Sequence, residues 1–294
     1  MAFLRVVGVG LSVLDELLLV DDFSFRTARV RYRERRVMPG GMVSTAVAQA
    51  ARLGCKSELI SMVGADADGR FLARELRHLG IGTRRLLRSP EFPTSWALVL
   101  VKRRGGERRF VLPDRGAIER GAADFDLSPI TRGAILLIDG HYPAQALRAV
   151  RRARERGAVV IADFSDARPS YERLLPFVDY PILPREFAET WGAGSPRDTL
   201  LALRERYGGR PVITLGRRGA LALCDGRIRR IPAQRVAVRD TTGAGDLFHG
   251  AFAAGLYHGL EPLPALELAT RAAALGCTAL GGVGRLMTCE EMKA

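Results

Sequence analysis

The chain is poor in lysine. Only three of its 45 basic residues are lysines, at positions 56, 102 and 293, which leaves 42 arginines. None of these lysines follows a glycine-rich turn, and the pattern G-x-x-x-x-G-K-[ST] does not occur. Its absence excludes a P-loop kinase. Any phosphate group bound by this chain must therefore be held by backbone amides, a metal ion or arginine.

Cysteine and long apolar runs are also scarce. The four cysteines are scattered and form no C-x-x-C pair. This pattern predicts neither a disulfide framework nor a zinc site, and it favours a reducing, cytoplasmic compartment. No run of about 18 apolar residues is present, and Asp15 and Glu16 interrupt the apolar stretch near the N-terminus. We therefore expect neither a membrane span nor a signal peptide.

The formal net charge of +13 raises the question of nucleic-acid binding. The arginines, however, are spread along the chain and mix with glutamate in stretches such as RAVRRARERG and LLALRERYGGR. Such stretches are typical of the solvent faces of helices. We interpret the excess charge mainly as surface composition and expect no nucleic-acid partner, although the basic groups can help to attract anionic small molecules.

Short apolar runs alternate with helical patterns along most of the chain. RVVGVG, SELISMVG, GAILLIDG, AVVIADFS and PVITLG read as buried strands, and amphipathic segments such as GRFLARELRHLG lie between them. This alternation predicts an α/β fold, a three-layer sandwich in which a mostly parallel central sheet carries helices on both faces. We expect one domain over residues 1–294.

Two segments break this rhythm. Residues 23–41 alternate apolar and charged side chains, and residues 94–113 form two apolar runs around the turn at Gly105 and Gly106. Both indicate strands outside the main sheet. We expect a small antiparallel β lid, built from inserted segments at about 23–38 and 94–113.

The stretch RDTTGAGDLFHGAFAAGL carries the strongest indication of chemistry. Gly243, Ala244 and Gly245 precede Asp246, and an apolar helical stripe starts at Leu247. The first turn of a helix has free N–H groups and a favourable dipole for an anion, and small residues let a phosphate approach. A tight turn with an acid merely favoured at the helix start would give the same local pattern. An acid beside an anion site has a use, however, if it accepts a proton from an attacking hydroxyl.

The sequence resembles the ribokinase-like, or PfkB, carbohydrate kinases. DTTGAGDLFHGAFAAG matches the C-terminal signature of that family, and MPGGMVSTAVAQAARLG is similar to its Gly-Gly motif and following helix. GGERRF resembles the turn of the family's substrate lid, and VITLGRRGA resembles its nucleotide-binding strand and loop. The resemblance extends over essentially the whole chain.

The resemblance implies a role for each matched position. Asp246 would be the catalytic base, and the amides of residues 243–245 would form the anion hole. The substrate would be bound by Asp15, Gly40 and Gly41, and ATP would be flanked by Thr214, Gly216 and Gly219. Asp240 and Thr242 would be candidates for a monovalent cation site, with K⁺ as the candidate ion. Asp15, the Gly-Gly pair and Asp240 can equally be ordinary turn or loop residues.

Two positions depart from the family pattern. Thr45 stands where many members have Asn, so the sugar pocket is expected to differ. The N-x-x-E motif, which organises Mg²⁺ through water, reads Leu183-Pro184-Arg185-Glu186 here, so Glu186 is kept and the Asn is not. Because no cluster of acids suggests a protein-only metal site, we expect Mg²⁺ to arrive with ATP. The Thr and the DTTGAGD-x-FHGA core are similar to those of sulfofructose kinases.

Two histidines lie near the expected site. His249 follows Asp246 by three positions on the same helix, where it can touch a ligand or pack in the core. His141 follows a strand at its carboxyl end, where ligands of open α/β sheets gather. It is a candidate substrate contact.

Together these patterns predict an ATP-dependent kinase of a sugar or sugar derivative. Two alternatives stay open at this point: a nucleotide- or anion-binding regulator that uses the fold without turnover, and a kinase of a nucleoside or another non-sugar alcohol. A dinucleotide-binding dehydrogenase built on GVGLSV is disfavoured because the third glycine is missing. A homodimer is compatible with the sequence, which does not decide the oligomeric state.

Overall fold

A nine-stranded sheet forms the centre of the protein. The structure is a computed structural model that describes residues 3–24, 29–114, 116, 119, 124–224 and 226–293. Its strands are β1 (Arg5–Val9), β4 (Ser57–Gly64), β5 (Leu86–Ser89), β8 (Ala134–Ile138), β9 (Val159–Asp163), β10 (Tyr180–Pro184), β11 (Val212–Thr214), β12 (Ala220–Cys224) and β13 (Arg227–Ile231). The spatial order is β13-β12-β11-β10-β9-β8-β1-β4-β5. All neighbouring pairs from β5 to β11 in this order are parallel. At the other edge, β12 pairs antiparallel with β11, and β13 pairs antiparallel with β12.

Helices cover both faces of this sheet. They are α1 (Met42–Arg52), α2 (Ala67–His78), α3 (Pro143–Arg156), α4 (Pro169–Glu172), α5 (Arg185–Trp191), α6 (Pro196–Tyr207), α7 (Ala244–Tyr257), α8 (Pro262–Gly276) and α9 (Cys289–Lys293). Side chains of α1, α2, α7 and α8 share one apolar core with one face of the strands. Side chains of α3, α5 and α6 share a second core with the other face. The predicted three-layer α/β fold is confirmed.

The two cores follow from the alternation of side chains along each strand. In β1, Val6 belongs to one core and Val7 to the other; in β8, Leu137 and Leu136 divide in the same way. Because successive side chains of a strand point to opposite faces, a strand buried on both sides needs a continuous apolar run. RVVGV and AILLI satisfy this requirement.

A second sheet of four strands lies apart from the first. It consists of β2 (Val13–Val20), β3 (Tyr32–Gly40), β6 (Trp96–Lys102) and β7 (Arg108–Val111), in the order β3-β2-β6-β7. The outer pairs are antiparallel as predicted, whereas β2 and β6 are parallel. β2 was not predicted as a strand of this sheet. Part of the predicted lid segment, residues 25–28, lies outside the described residues.

One face of this lid sheet is apolar and the other is charged. Leu17, Leu19, Val99 and Val101 are buried together with Leu280, which comes from a loop near the C-terminus. The strand β3 is instead rich in exposed arginine and glutamate. A sheet with so small an apolar core of its own is expected to open locally at low free-energy cost.

We predict that the lid becomes ordered when ligands bind. Amide hydrogen exchange of residues 29–37 and 96–111 should slow when a sugar substrate and a non-hydrolysable ATP analogue are both present, because closure over them would bury the lid's exposed backbone. Exchange of β8, in the centre of the main sheet, serves as the internal control and should not change. Equal exchange in the lid with and without ligands would show a static sheet.

Candidate active site

The N-terminus of α7 is open to an anion. Its N-cap, Gly243, has a φ of 74°, and no side chain caps the first turn. A Cβ at this position would lie 2.6 Å from the Cα of Gly282, so a larger residue would not fit. Nothing lies within 4 Å of the Cβ position of Gly245, so this glycine faces open space. Because the first N–H groups of a helix have no intrahelical partner, this turn can accept a phosphoryl group.

The loop before α7 is held by a buried carboxylate. Asp240, which is only 1% exposed, accepts hydrogen bonds from the backbone N and Oγ1 of Thr242, both at 2.8 Å. Its other oxygen accepts a bond of 2.7 Å from the backbone N of Gly281. Residues 240–243 are named the anion-binding loop here, after their expected role. Asp240 therefore joins the anion-binding loop to the loop that carries Leu280. These bonds give Asp240 and Thr242 a structural role, and their role at a monovalent cation stays a prediction.

Asp246 faces a second carboxyl group. This partly buried residue of the first turn lies beside Asp163, the last residue of β9, and the two side chains are close enough to share a hydrogen bond. Burial, together with the charge of Asp163, raises the pKa of Asp246 to about 8. Burial, together with the charge of Asp139, raises the pKa of Asp163 to about 8. At neutral pH this coupled pair therefore retains a proton that two isolated carboxyl groups would release.

The lid reaches the anion-binding loop through its β6–β7 turn. The Nη1 of Arg108 donates a hydrogen bond of 2.7 Å to the Oγ1 of Thr241, and the carbonyl of Gly106 accepts bonds from the backbone N and Oγ1 of Thr241 at 3.2 and 3.0 Å. The charge of Arg108 lowers the pKa of Asp246, against the larger effect of burial. A cavity of about 450 Å³ lies here, lined by Phe23, Glu107, Arg108, Arg109, Phe110 and Thr241.

The predicted substrate residues come together beside this loop. Asp15 on β2 is buried, and a Cβ at Gly40 on β3 would overlap its carboxylate, so Gly40 leaves the space that Asp15 occupies. Gly41 has a φ of 95° and starts α1. Thr45, one turn into α1, is buried, and its Cγ2 lies 3.4 Å from the Cβ position of Gly243. The Gly-Gly motif and the anion-binding loop are therefore neighbours.

His141 lies on the other side of the carboxyl pair. Its Nδ1 is 2.9 Å from Oε1 of Glu119, and its backbone N donates to Oδ1 of Asp139 at 3.0 Å. Asp139 is completely buried after β8, and its Oδ2 accepts a bond of 2.7 Å from the backbone N of Leu11. The charge of His141 acts on Asp163 and lowers its pKa. His141 is thus close to the carboxyl pair, as expected for the carboxyl end of a parallel strand.

The predicted nucleotide residues lie at and after β11. Thr214 is the last residue of that strand, and Gly216 starts a short 3₁₀ helix, Gly216–Arg218. Gly216 faces open space, as a ligand contact requires. Gly219 is buried with a φ of 85°, and a Cβ there would overlap the carbonyl of Ile231. Packing against the edge of the sheet is therefore sufficient to explain Gly219.

The residues of the expected magnesium motif do not meet. Leu183 is fully buried in one core, whereas Glu186 is exposed in the first turn of α5 and forms a 3.8 Å ion pair with Arg185. Within the described part of the chain, no group of three or more His, Cys, Asp or Glu side chains could hold a metal ion. The arrival of Mg²⁺ with ATP and the part of Glu186 both stay predictions.

Sequence reasoning missed the acids that follow β8 and end β9. Asp139 and Asp163 each come directly after an apolar run, in ILLIDG and VVIADF, and the carboxyl ends of neighbouring parallel strands meet at one edge of a sheet. That placement was the available signal. The contact between Glu119 and His141 could not be predicted from a local sequence pattern, because 22 positions separate the two residues.

Comparison with known proteins identifies the family. Residues 5–288 match the model of the pfkB family of carbohydrate kinases. The chain belongs to this family. It is 26% identical over 263 residues to ribokinase from Lactococcus lactis subsp. lactis, covering 88% of this chain and 85% of that protein. It is 29% identical over 284 residues to fructokinase from Klebsiella pneumoniae, covering 87% of this chain and 91% of that protein.

Solved structures agree with this assignment. Ribokinase from Thermotoga maritima superposes with a TM-score of 0.84 at 26% identity, covering 99% of this chain and 98% of that one. Arabidopsis thaliana ribokinase, solved with ribose and ATP, has a TM-score of 0.81 at 21% identity, covering 100% of this chain and 98% of that one, and supports the fold alone. The pfkB-family chain is an ATP-dependent carbohydrate kinase. The similarity to sulfofructose kinases stays a prediction. Among the described residues, no helix is long and apolar enough to cross a membrane.

The carboxyl pair makes a prediction about stability. A carboxyl group whose pKa rises from its ordinary 3.8 to about 8 on folding keeps its proton longer in the folded state. The folded state then binds more protons than the unfolded state, so the free energy of unfolding should fall as the pH rises between about 5 and 8. Asp246→Asn removes one member of the pair, and its free energy of unfolding should fall less over this range. Urea denaturation of both proteins at several pH values measures the difference; parallel curves would contradict it.

Proposed function

We propose that the protein transfers the γ-phosphoryl group of ATP to a hydroxyl group of a sugar or sugar derivative, with Asp246 as the general base. The observation that carries this proposal is the uncapped first turn of α7, which places free N–H groups and a carboxyl group with a pKa raised to about 8 within one helical turn. A base works best when its pKa lies near the working pH.

The transfer needs one proton acceptor and one anion hole. The sugar hydroxyl loses its proton to the carboxylate of Asp246 while its oxygen forms a bond to the γ-phosphorus. The bond from the γ-phosphorus to the β–γ bridging oxygen breaks, and ADP leaves with the electron pair. The amides of Gly243, Ala244 and Gly245 hold the equatorial oxygens of the phosphoryl group, where charge is spread in the transition state. The Ala244 N–H would exchange its long hydrogen bond of 3.3 Å to the Thr241 carbonyl for this contact. Bound Mg²⁺ would neutralise further charge on the phosphates.

The substrate side of the site is proposed to lie between the lid and α1. Asp15, Gly40 and Thr45 are grouped beside the anion-binding loop, so a sugar held there would direct a hydroxyl at Asp246. The nucleotide would lie along Thr214 and Gly216, where the glycine faces open space. Lid closure through Arg108 and Gly106 would exclude water that otherwise hydrolyses ATP. The relatives named ribokinase and fructokinase support a sugar as the acceptor.

Asp246→Asn tests the base. The substitution keeps the shape of the side chain and removes the proton acceptor, so kcat should fall by about 10²–10⁴-fold. Binding of an ATP analogue should persist because the amides are unchanged, and the melting temperature should not fall because burial disfavours the ionised carboxylate in the folded protein. Coupled ADP release with a panel of sugars, calorimetric binding and thermal melts provide the three measurements.

A matched control is available in α2. Asp68 is likewise an acid in the first turn of a helix, and it is exposed. Asp68→Asn should therefore retain the wild-type rate. If Asp246→Asn also phosphorylates its sugar at the wild-type rate, the acid is only a favourable helix-start residue. If the wild-type protein binds ATP but phosphorylates no sugar, nucleoside or polyol, the protein is a nucleotide-binding regulator.

Thr45 is predicted to tune the choice of sugar. Its side chain is buried between the Gly-Gly motif and Gly243, and Asn would add length and a second type of hydrogen-bonding group. Thr45→Asn should change the ratios of kcat/KM among sugars by about 10–100-fold, the effect of one or two gained or lost hydrogen bonds. Thr45→Ser keeps the hydroxyl and should preserve the ratios. Unchanged ratios in Thr45→Asn would place Thr45 outside the pocket.

A further inference from the structure

His249 lies in an unusual environment behind the base. It is 3% exposed and sits one turn after Asp246 on α7. Its Nδ1 is 2.8 Å from the carbonyl oxygen of Gly245, and its Nε2 is 2.9 Å from the carbonyl oxygen of Ile182 on β10. Both ring nitrogens therefore contact a backbone carbonyl, one on its own helix and one on the central sheet.

These contacts indicate the number of protons on the ring. A carbonyl oxygen only accepts hydrogen bonds, and a neutral imidazole has one N–H donor and one nitrogen lone pair. A neutral ring would therefore direct a lone pair at one of the two carbonyl oxygens. Burial lowers the pKa of His249 below its ordinary value, and the opposing effects of the Gly245 and Ile182 carbonyls and of the charge of Asp246 are smaller. The positions of the two carbonyl oxygens nonetheless favour the doubly protonated ring, because only that form donates a hydrogen bond to both.

A buried imidazolium needs a negative partner, and Asp163 supplies one. The Oδ2 of Asp163 is 3.2 Å from the Nδ1 of His249. This oxygen is buried and has no hydrogen-bond partner among the described residues, so the ring is its nearest source of compensation. Burying an isolated carboxylate is costly, whereas a paired one can be tolerated.

The other charged groups around the pair come from several elements. They are Asp246 on α7, Asp139 after β8, His141 with its partner Glu119, and Arg108 on the lid. The acids Asp139, Asp163 and Asp246 would place three negative charges together if all were ionised. A positive ring at His249, with Arg108 on the lid side, offsets this repulsion.

We propose that His249 is a buried imidazolium paired with the carboxylate of Asp163, and that this pair positions the carboxyl group of Asp246 for catalysis. The ring is fixed by strands β9 and β10 and by the first turn of α7, so it connects the base to the rigid centre of the sheet. The protonation state stands on the contacts alone, whereas the positioning role rests on the proposed kinase reaction. Both residues are positioning residues, since Asp246 alone would take the substrate proton.

The charge on the ring can be measured in the wild-type protein. The chain has only four histidines, so the ¹⁵N ring resonances can be assigned with single variants such as His249→Gln. We expect the His249 ring to carry both protons at pH 7. In Asp163→Asn the pKa of His249 should fall by at least about one unit, because the opposite charge is gone. A neutral His249 ring at pH 7 in the wild-type protein would overturn the proposal.

A double-mutant cycle tests the positioning role. Asp163→Asn and His249→Gln should each lower kcat by about 10- to 100-fold through misplacement of the base, with little change in KM for ATP. The double variant should be no slower than the slower single variant, because either change breaks the same pair. His258→Gln, on an exposed histidine at the opposite, C-terminal end of α7, should retain the wild-type kcat.

The possible outcomes separate the two layers of the proposal. If the rate losses multiply in the double variant, the residues act independently and the positioning pair is wrong. If KM for ATP rises while kcat is unchanged, the pair supports nucleotide binding and the positioning role is likewise wrong. If no carbohydrate is phosphorylated even by the wild-type protein, the proposed function fails, and the ring titration still decides the protonation of His249.

Discussion

The free amide groups at the start of α7 are the feature on which the rest of the site depends. Side chains, water or ligands can satisfy such groups, and no side chain caps this helix. Leaving them open requires a residue without a side chain at the N-cap, because Gly282 and Thr45 pack against that position. It also requires rigid support from below, which Asp240 provides by joining the loop to Gly281. The proposed anion site is therefore built from backbone groups and from a buried acid that holds their loop in place.

An acid next to an anion site creates an electrostatic problem. Asp246 would be repelled by a phosphate, and Asp163 adds a second like charge beside it. Under the proposed mechanism, three features would offset this repulsion: the positive end of the α7 dipole, Arg108 from the lid, and the proposed positive charge on the ring of His249. The dipole and the ring belong to the main body of the fold. Because Arg108 belongs to the lid, closing the lid would also help to balance the charge of the site.

The sequence identified the local parts of this arrangement. The anion-binding turn could be predicted because Gly243, Gly245 and Asp246 are adjacent and the helical stripe follows at once. The main sheet could be predicted because strands buried on both faces need continuous apolar runs. The parallel pairing of β2 with β6 could not, since it joins Leu14 to Trp96 and nothing local to β2 specifies a partner so distant along the chain. For the same reason the cluster of Asp139, Asp163 and His249 becomes visible only when the ends of β8, β9 and β10 lie side by side.

The two departures from the family motifs differ in consequence. Leu183 is fully buried in an apolar core, so the position where the family motif has Asn offers no polar group in this chain. Thr45 lies at the contact between α1 and the anion-binding loop, where it still offers one hydroxyl. With no polar group at position 183, the proposed mechanism assigns charge neutralisation to the amides, to Arg108 and to Mg²⁺ bound with ATP. The difference at position 45 would leave that balance intact and alter the shape and polarity of the space beside the first turn of α7. The proposal therefore assigns the chemistry and the choice of substrate to separate positions.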